Sequence, residues 1–356
     1  MQSRRLNHLV SDRIYLDHAA ATPILPEARQ AMMDAYARWA NPSSPHAEGR
    51  AAKAALEDAR GRIKAALGWG HELILTSGAS EAAALALAQA RIGARAISAV
   101  EHDSVRRSAP HAATIGVDAD GMVDLAAIPE AALIAIQTAN SETGLIQPLE
   151  AIGATVRQRG ALWLADAAQT AAKLPLPDAD LIIVSAHKFG GPAGIGALLV
   201  KGLSSLSPIG GQEKGYRGGT ENLPGAIGFA VALEARGSRE HLADLRRRLD
   251  EGVRAAGGQI IAENGPRLPE IASYRLPGTP AAAQLIELDM AGIAVSAGSA
   301  CSSGTLKPSA VLTAMGWNEE RAREVIRVSL APSTTLREVD RFLEVWSRFA
   351  ERRRAA

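Results

Sequence analysis

A single cysteine, Cys301, stands among 356 residues. One thiol excludes an intrachain disulfide framework and any multi-cysteine zinc or iron–sulfur site built by one chain. It also fits a reducing compartment. A charge excess is lacking too: 39 Lys plus Arg face 38 Asp plus Glu, for a net charge of +1. Nothing in that balance favours a polyanion, so nucleic acid is not expected as a partner. The basic runs Arg246-Arg247-Arg248 and Arg352-Arg353-Arg354 fall in or just after amphipathic helical patterns and read as solvated faces. No run reaches the roughly 18 uninterrupted apolar residues of a membrane span; the Ala-rich stretch after Glu81 is broken by Gln89 and Arg91. The segment from Met1 to Asp12 is polar and does not read as a signal peptide. A soluble, cytoplasmic protein is expected. Neither G-x-x-x-x-G-K-S/T nor G-x-G-x-x-G occurs, so the common nucleotide fingerprints are absent.

What is present is ordinary globular material, 47% hydrophobic and 22% charged, long enough for two domains or one large α/β unit with an appendage. From 70 to 200, short apolar runs (73–75, 96–100, 133–137, 161–164, 181–184 and 195–200) alternate with helical patterns near 80–90, from 104, and at 149–159. Gly, Pro, Asn and Asp punctuate them, as expected of strands buried under helices on both faces. The alternation predicts an α/β fold with a mostly parallel, doubly wound sheet, whose ligand sits at the carboxyl ends of the strands. After about 237 the texture changes to helix 241–255, strands 259–262 and 271–276, helix 281–290, strand 326–330 and helix 336–350. That order predicts a smaller α+β domain. Residues 13–237 are assigned to the large domain, and 1–12 with 238–356 to the small one.

Chemistry is concentrated at two strand ends. Ser185-Ala186-His187-Lys188-Phe189-Gly190-Gly191 follows an apolar strand directly. A desolvated lysine there has a depressed pKa and suits Schiff-base chemistry with an aldehyde; a lysine that merely emerges into solvent is the alternative. Asp166, in Trp163-Leu164-Ala165-Asp166-Ala167-Ala168-Gln169, ends the preceding strand. A lysine and a carboxylate in one crevice match what pyridoxal phosphate asks of a protein, although a plain ion pair would look the same. Leu75-Thr76-Ser77-Gly78-Ala79-Ser80-Glu81 offers strand, glycine turn and helix start, a place for a phosphate, with Ser80 as a capping residue. Ser185 and His187 add donors beside the lysine.

Ten segments in order then resemble the cysteine desulfurases among the class V, type I-fold pyridoxal phosphate enzymes. They are Tyr15-Leu16-Asp17-His18-Ala19-Ala20, Asn41-Pro42-Ser43-Ser44, 76–81, Glu101-His102, Asn140-Ser141-Glu142-Thr143-Gly144, 166–169, 185–188, 210–220, 296–303 and Ile326-Arg327-Val328-Ser329. The resemblance covers almost the whole chain. It implies pyridoxal 5'-phosphate in the large domain and the catalytic cysteine loop in the small one. Lys188 would carry the Schiff base, Asp166 would pair with the pyridinium nitrogen, and Gln169 would contact the ring hydroxyl. His102 would stack on the ring and act as an acid or base. Ala79, Ser80, Ser185 and His187 would form the phosphate cup. Thr220, in Arg217-Gly218-Gly219-Thr220, would reach the neighbouring subunit's phosphate in a homodimer. Asn140 and Arg327 would take the substrate carboxylate.

Cys301 sits in Ser296-Ala297-Gly298-Ser299-Ala300-Cys301-Ser302-Ser303-Gly304, small residues with no periodic apolar face, expected to be a mobile loop. The run is similar to the long-catalytic-loop group, in which this cysteine takes sulfur from L-cysteine as a persulfide, leaves L-alanine, and passes the sulfur to an acceptor protein. No metal is implied. The chain departs from the family with His18 where many members have Asn and Ser80 where many have Thr. Only 351–356 follow the last predicted helix, whereas longer members carry a tail that helps dock an iron–sulfur scaffold. Other readings on the same fold are a class V aminotransferase, a selenocysteine lyase, or a catalytically silent sulfur carrier. A loop thiol argues against the first, and the intact Lys188, Asp166 and Arg327 against the last.

Overall fold

The computed structural model describes residues 13–91, 93–298 and 308–355. It opens on a two-residue strand, β1 (Ile14–Tyr15). Strands β2 (Glu72–Thr76), β3 (Arg95–Ser98), β4 (Ala113–Ile115), β5 (Leu133–Ala135), β6 (Leu162–Asp166), β7 (Leu181–Ser185) and β8 (Gly196–Val200) build one sheet in the order β2-β8-β7-β6-β5-β3-β4. Every pairing from β7 to β4 is parallel, and β8 alone runs antiparallel to its neighbours β7 and β2. The sheet is therefore the mostly parallel α/β sheet expected, with one reversed strand. β4 was not anticipated: a three-residue strand with two exposed residues carries no readable period.

All five residues of β7 and of β8 are buried. On β7 the side chains alternate between two cores: Ile182 and Val184 join one cluster, Leu181 and Ile183 the other. The first cluster takes the helices Ala47–Leu67 and Leu223–Glu234; the second takes the helix Ala79–Gln89. Burial on both faces explains the continuous apolar runs.

A second sheet, β9 (Gln259–Ile260), β10 (Ile271–Arg275), β12 (Ser296–Ala297) and β13 (Val325–Ser329), is antiparallel in the order β12-β13-β10-β9. It packs with the helices Leu242–Ala255 and Leu336–Ala355 around Leu249, Tyr274, Val328, Phe342 and Trp346. The buried Trp346 indole donates to Gln284 Oε1 at 3.0 Å, and Gln284 Nε2 donates to the carbonyls of Thr279 and Glu324. That amide is satisfied on both sides, as burial requires.

One residue of a basic run departs from the solvated face expected. Arg246 is 6% exposed, donates to Asp250 Oδ1 at 2.8 Å one turn on, and lies over the Tyr274 ring. It falls on the inward stripe with Leu242, Leu245 and Leu249, and burial of a guanidinium is tolerable there because Asp250 neutralises it. Arg247 and Arg248 do face solvent.

The N-terminal segment ties the two sheets together. β1 pairs with β11 (Ile293–Ala294), Leu16 lies in the core of the second sheet, and Ser329 N donates to Leu16 O at 2.7 Å. Six residues on, Thr22 N donates to His187 O at 2.8 Å, at the end of β7. The ends of β6 and β7 lie beside this tie.

Gly196 allows a close approach there. A Cβ at Gly196 would lie 2.6 Å from Val184 O and 2.7 Å from Gly78 Cα, so β8 and the Gly78 turn touch through it. Gly196→Ala should lower stability by about 1–3 kcal/mol, read as a lower urea midpoint. Gly61→Ala, on an exposed helix position with open space around it, should be neutral or gain about 0.5–1 kcal/mol. Equal responses from the two variants would contradict this packing.

Candidate active site

Lys188 leaves β7 on a single 3-10 turn, Ala186–Lys188. Its Nζ donates to Ala19 O at 2.8 Å and Ala20 O at 2.9 Å. Those carbonyls belong to the tight turn after β1, where Ala20 N donates back to Asp17 O. Burial, reinforced by the nearby Arg327 charge and partly opposed by Asp166 and Asp17, lowers the Lys188 pKa to about 8. A lysine so placed is neutral in an appreciable fraction of molecules near neutral pH, as a nucleophilic amine must be.

Asp166 ends β6, the parallel neighbour of β7, with Asp166 in register with Ile183. It is 9% exposed and accepts from Ala168 N at 2.9 Å. Burial raises its pKa above the ordinary aspartate value, while the Ala168 amide, His102 and Lys188 pull it back. The sequence-predicted pair therefore does converge at adjacent strand ends. Gln169 joins them: its Nε2 donates to Ala19 O at 2.9 Å, and its buried Oε1 has no partner among the described residues.

His102 is the N-cap of the short helix Asp103–Ser108, with Nδ1 accepting from Ser104 N and lying 2.7 Å from Ser104 Oγ. It is exposed, yet the crowded surroundings and Lys188 lower its pKa, partly offset by Asp166. The charges of Asp166 and Lys188 both act on its ring, the first raising and the second lowering its pKa.

A cradle for an anion lies beside them. The helix Ala79–Gln89 begins at Gly78, whose φ of 148° suits glycine, and no side chain caps it. Ser80 is thus not the cap expected from sequence: it stands inside the first turn, and its position is set by the Gly78 turn packed on Gly196. Ser185 Oγ lies 3.0 Å from His187 Nδ1, and a Cβ at Gly78 would reach within 3.9 Å of that Oγ. Burial and the Lys188 charge hold the His187 pKa down at about 4, so its ring is neutral. Uncapped amides at a helix start, a hydroxyl and a neutral imidazole suit a phosphate.

Arg327, on β13, projects from the second sheet into this crevice. It donates to Asp17 Oδ1 at 2.8 Å and to Ser141 O at 3.1 Å, and its buried Nε has no partner among the described residues. Asn140 is buried near by, but its amide is largely spent on the chain itself. Its Oδ1 accepts from Glu142 N and Thr143 N, and its Nδ2 donates to Val100 O.

Two predicted residues are not gathered in. Thr220 is exposed in the loop before the helix Leu223–Glu234, and no hydrogen bond joins it to the others. Cys301 lies outside the described residues. Sequence reasoning also missed several groups: Asp17 as the partner of Arg327, the Ala19 and Ala20 carbonyls, the buried Glu101 and the half-buried Glu142. Glu101 is pushed well above the usual carboxyl range by burial and by Asp166. Glu142, likewise raised by burial, bonds Ser309. Asp17, Glu101 and Glu142 all stood inside quoted motifs; what had no sequence signal was which atom each would meet.

The residues fit pyridoxal 5'-phosphate. The crevice offers an amine, a carboxylate for a ring nitrogen and an unpaired buried amide oxygen for a ring substituent, with the anion cradle beside the lysine.

Comparisons with known proteins agree. The family model "Aminotransferase class-V" matches residues 14–342. A cysteine desulfurase of Cereibacter sphaeroides is 36% identical, covering 97% of each chain. Cysteine desulfurase IscS 1 of Archaeoglobus fulgidus is 36% identical over 96% of this chain and 98% of its own. The X-ray structure of a NifS-like protein from Rickettsia africae superposes with a TM-score of 0.84 at 30% identity, covering 95% of this chain and 99% of the other. A structure described as SspA in complex with cysteine gives a TM-score of 0.79 at 29% identity, over 90% of this chain and all of the other.

The lysine makes a pH-linked signature. An unfolded lysine stays protonated to about pH 10.5, so between about 8 and 10.5 the folded, unliganded protein binds fewer protons than the unfolded chain. Stability should therefore rise with pH through that window, with the penalty fully present below pH 8. Lys173, half-buried, is also lowered by desolvation and contributes with the same sign, so the reading is a difference. Urea midpoints of Lys188→Met should rise less steeply than wild type; parallel curves would contradict a depressed Lys188.

Proposed function

The chain belongs to the class-V aminotransferase family, and we propose that within it this chain is a pyridoxal phosphate-dependent cysteine desulfurase, converting L-cysteine to L-alanine and loading the sulfur onto Cys301 as a persulfide. The single observation carrying this reading is the meeting of Lys188 and Asp166 at adjacent parallel strand ends, beside an anion cradle. The full-length likeness to cysteine desulfurases supplies the substrate.

Pyridoxal phosphate, when bound, supplies an aldehyde that takes an amine covalently and a ring that draws electrons from the carbon it holds. In this reading Lys188 Nζ would be the amine that holds the group, and as a free amine it would be the base that moves the substrate Cα proton. Its lowered pKa supports both tasks. Asp166 holds the proton on the ring nitrogen, and Gln169 orients the ring hydroxyl. His102 would lie against the ring and act as an acid or base. Ser80 with the Ala79 amide, Ser185 and His187 bind the phosphate. Arg327 takes the substrate carboxylate, which its unpartnered Nε supports, and Asn140 shapes the turn beside it with one amide proton left to donate. The Cys301 thiolate attacks the substrate sulfur: an S–S bond forms, the substrate Cβ–S bond breaks, and its electron pair stays on the carbon skeleton, which is protonated and leaves as alanine.

The finer assignments belong to the same proposal. The enzyme is a cytoplasmic homodimer in which each Thr220 completes the other subunit's phosphate cup. A sulfur-acceptor protein receives the persulfide sulfur for iron–sulfur clusters, other sulfur-containing cofactors or tRNA. Among the described residues no helix is long and apolar enough to cross a membrane.

The purified protein should show a visible cofactor band that shifts with L-cysteine as alanine appears. Cys301→Ser should keep the band and its shift yet release almost no alanine, because attack on sulfur needs a thiolate. With one cysteine in the chain, intact mass of the wild type should rise by whole sulfur atoms after brief exposure to L-cysteine. Full desulfuration by Cys301→Ser would sink the nucleophile assignment. Mixing Lys188→Ala and Thr220→Ala chains should regenerate one intact site per mixed dimer. Mixed dimers no more active than either parent would count against sharing of the site.

A further inference from the structure

The loop that carries Thr220 is bent hard and held in two places. Glu213 and Lys214 have φ of 48° and 58°, and Gly215 follows at 91°. Two successive non-glycine residues in the left-handed region persist only where the surroundings dictate them. The cause is visible. Glu213 is 5% exposed, and its carboxylate accepts from both terminal nitrogens of Arg60, at 2.7 and 2.9 Å, and from Leu75 N at 2.8 Å. Arg60 in turn donates to Leu73 O at 2.9 Å. Leu73 and Leu75 lie on β2, the strand that runs into the Gly78 turn. The second hold is at the cradle itself. Arg217 Nε donates to Glu81 Oε1 at 2.8 Å, and the other Glu81 oxygen accepts from Ser77 N. Between the holds the loop closes on itself, with Gln212 N donating to Arg217 O at 3.0 Å.

We propose that Glu213 and Arg217 are positioning residues for cofactor binding: they clamp this loop to the wall of their own chain's phosphate cradle, and so fix where Thr220, three residues beyond Arg217, is delivered to the partner's cradle. The inference rests on the assignment of Thr220 to the neighbouring subunit's phosphate. It adds a mechanical link between the two cradles of a dimer, running from Ser77 and Leu75 of one through the loop to the phosphate of the other. A bidentate, buried Arg–carboxylate pair holds geometry tightly, which is what a residue reaching across an interface requires. The competing explanation is that these pairs only stabilise the fold.

Phosphate dependence separates the two. Release of cofactor from the holoenzyme, followed by loss of the visible band on dilution with an aldehyde trap, should be about tenfold faster in Arg217→Met, the loss of one charged hydrogen bond. Thr220→Ala should behave alike, and the double variant should be no faster than Thr220→Ala, since both act through one contact. Binding of pyridoxal, which has no phosphate, to the resolved proteins should be unchanged. Glu213→Gln keeps the side chain's shape and should follow the same pattern, giving a second arm if either variant folds poorly. Equal weakening of pyridoxal and its phosphate would mean general loosening and overturn the proposal. So would additive effects of Arg217→Met and Thr220→Ala, which would indicate an unneutralised Glu81 acting on its own cradle. Faster release in Thr220→Ala alone would remove the clamp and leave Thr220 standing. No effect of Thr220→Ala would remove both, an outcome the mixed-dimer experiment reads separately.

Discussion

Two cations, Lys188 and Arg327, are taken out of water at the joint between two sheets, and the rest of the crevice is arranged around compensating them. A buried charge without partners is too costly to keep. Lys188 is solvated by the carbonyls of Ala19 and Ala20, and Arg327 by Asp17 and the Ser141 carbonyl. Three of those four groups come from the turn at 17–20. The same turn is fixed to the second sheet, since Ala19 N donates to Ser329 Oγ at 2.8 Å. One short segment therefore joins the two layers and solvates the charges that chemistry needs.

The acids of the crevice divide into two kinds. Asp17 is paired with Arg327, while Glu101 and Glu142 are enclosed and have their carboxyls pushed upward by burial. Desolvation disfavours the charged form of both carboxyls, which limits the negative charge set against the two cations. His187 fits the same logic: held near a pKa of about 4, it presents a neutral imidazole next to a lysine without adding a third charge.

Much of this was legible in the chain. Apolar runs marked β2, β6, β7 and β8 because strands buried on both faces leave no polar alternation to confuse the reading. Lys188 and Asp166 were identifiable because each stands where such a run stops, and a parallel sheet brings successive strand ends together. Ser80 was misjudged as a cap, and Arg246 as a surface charge, for a common reason. Each depends on a neighbour distant in sequence: Gly196 crowds the Gly78 turn, and Asp250, with the second sheet behind it, makes the Arg246 position habitable.

What the sequence determined by itself was which residue types are available and roughly where the strands that present them end, since hydrophobic periodicity and glycine turns are local properties. Only the tertiary structure decided the pKa of Lys188, the pairing of Arg327 with Asp17, the internal commitments of Asn140 and the left-handed bend at Glu213. Apart from the local Asn140 bonds to Glu142 N and Thr143 N, each of those is set by desolvation or by a contact between segments tens to hundreds of residues apart, and no local pattern encodes how much water a folded chain will exclude from one nitrogen.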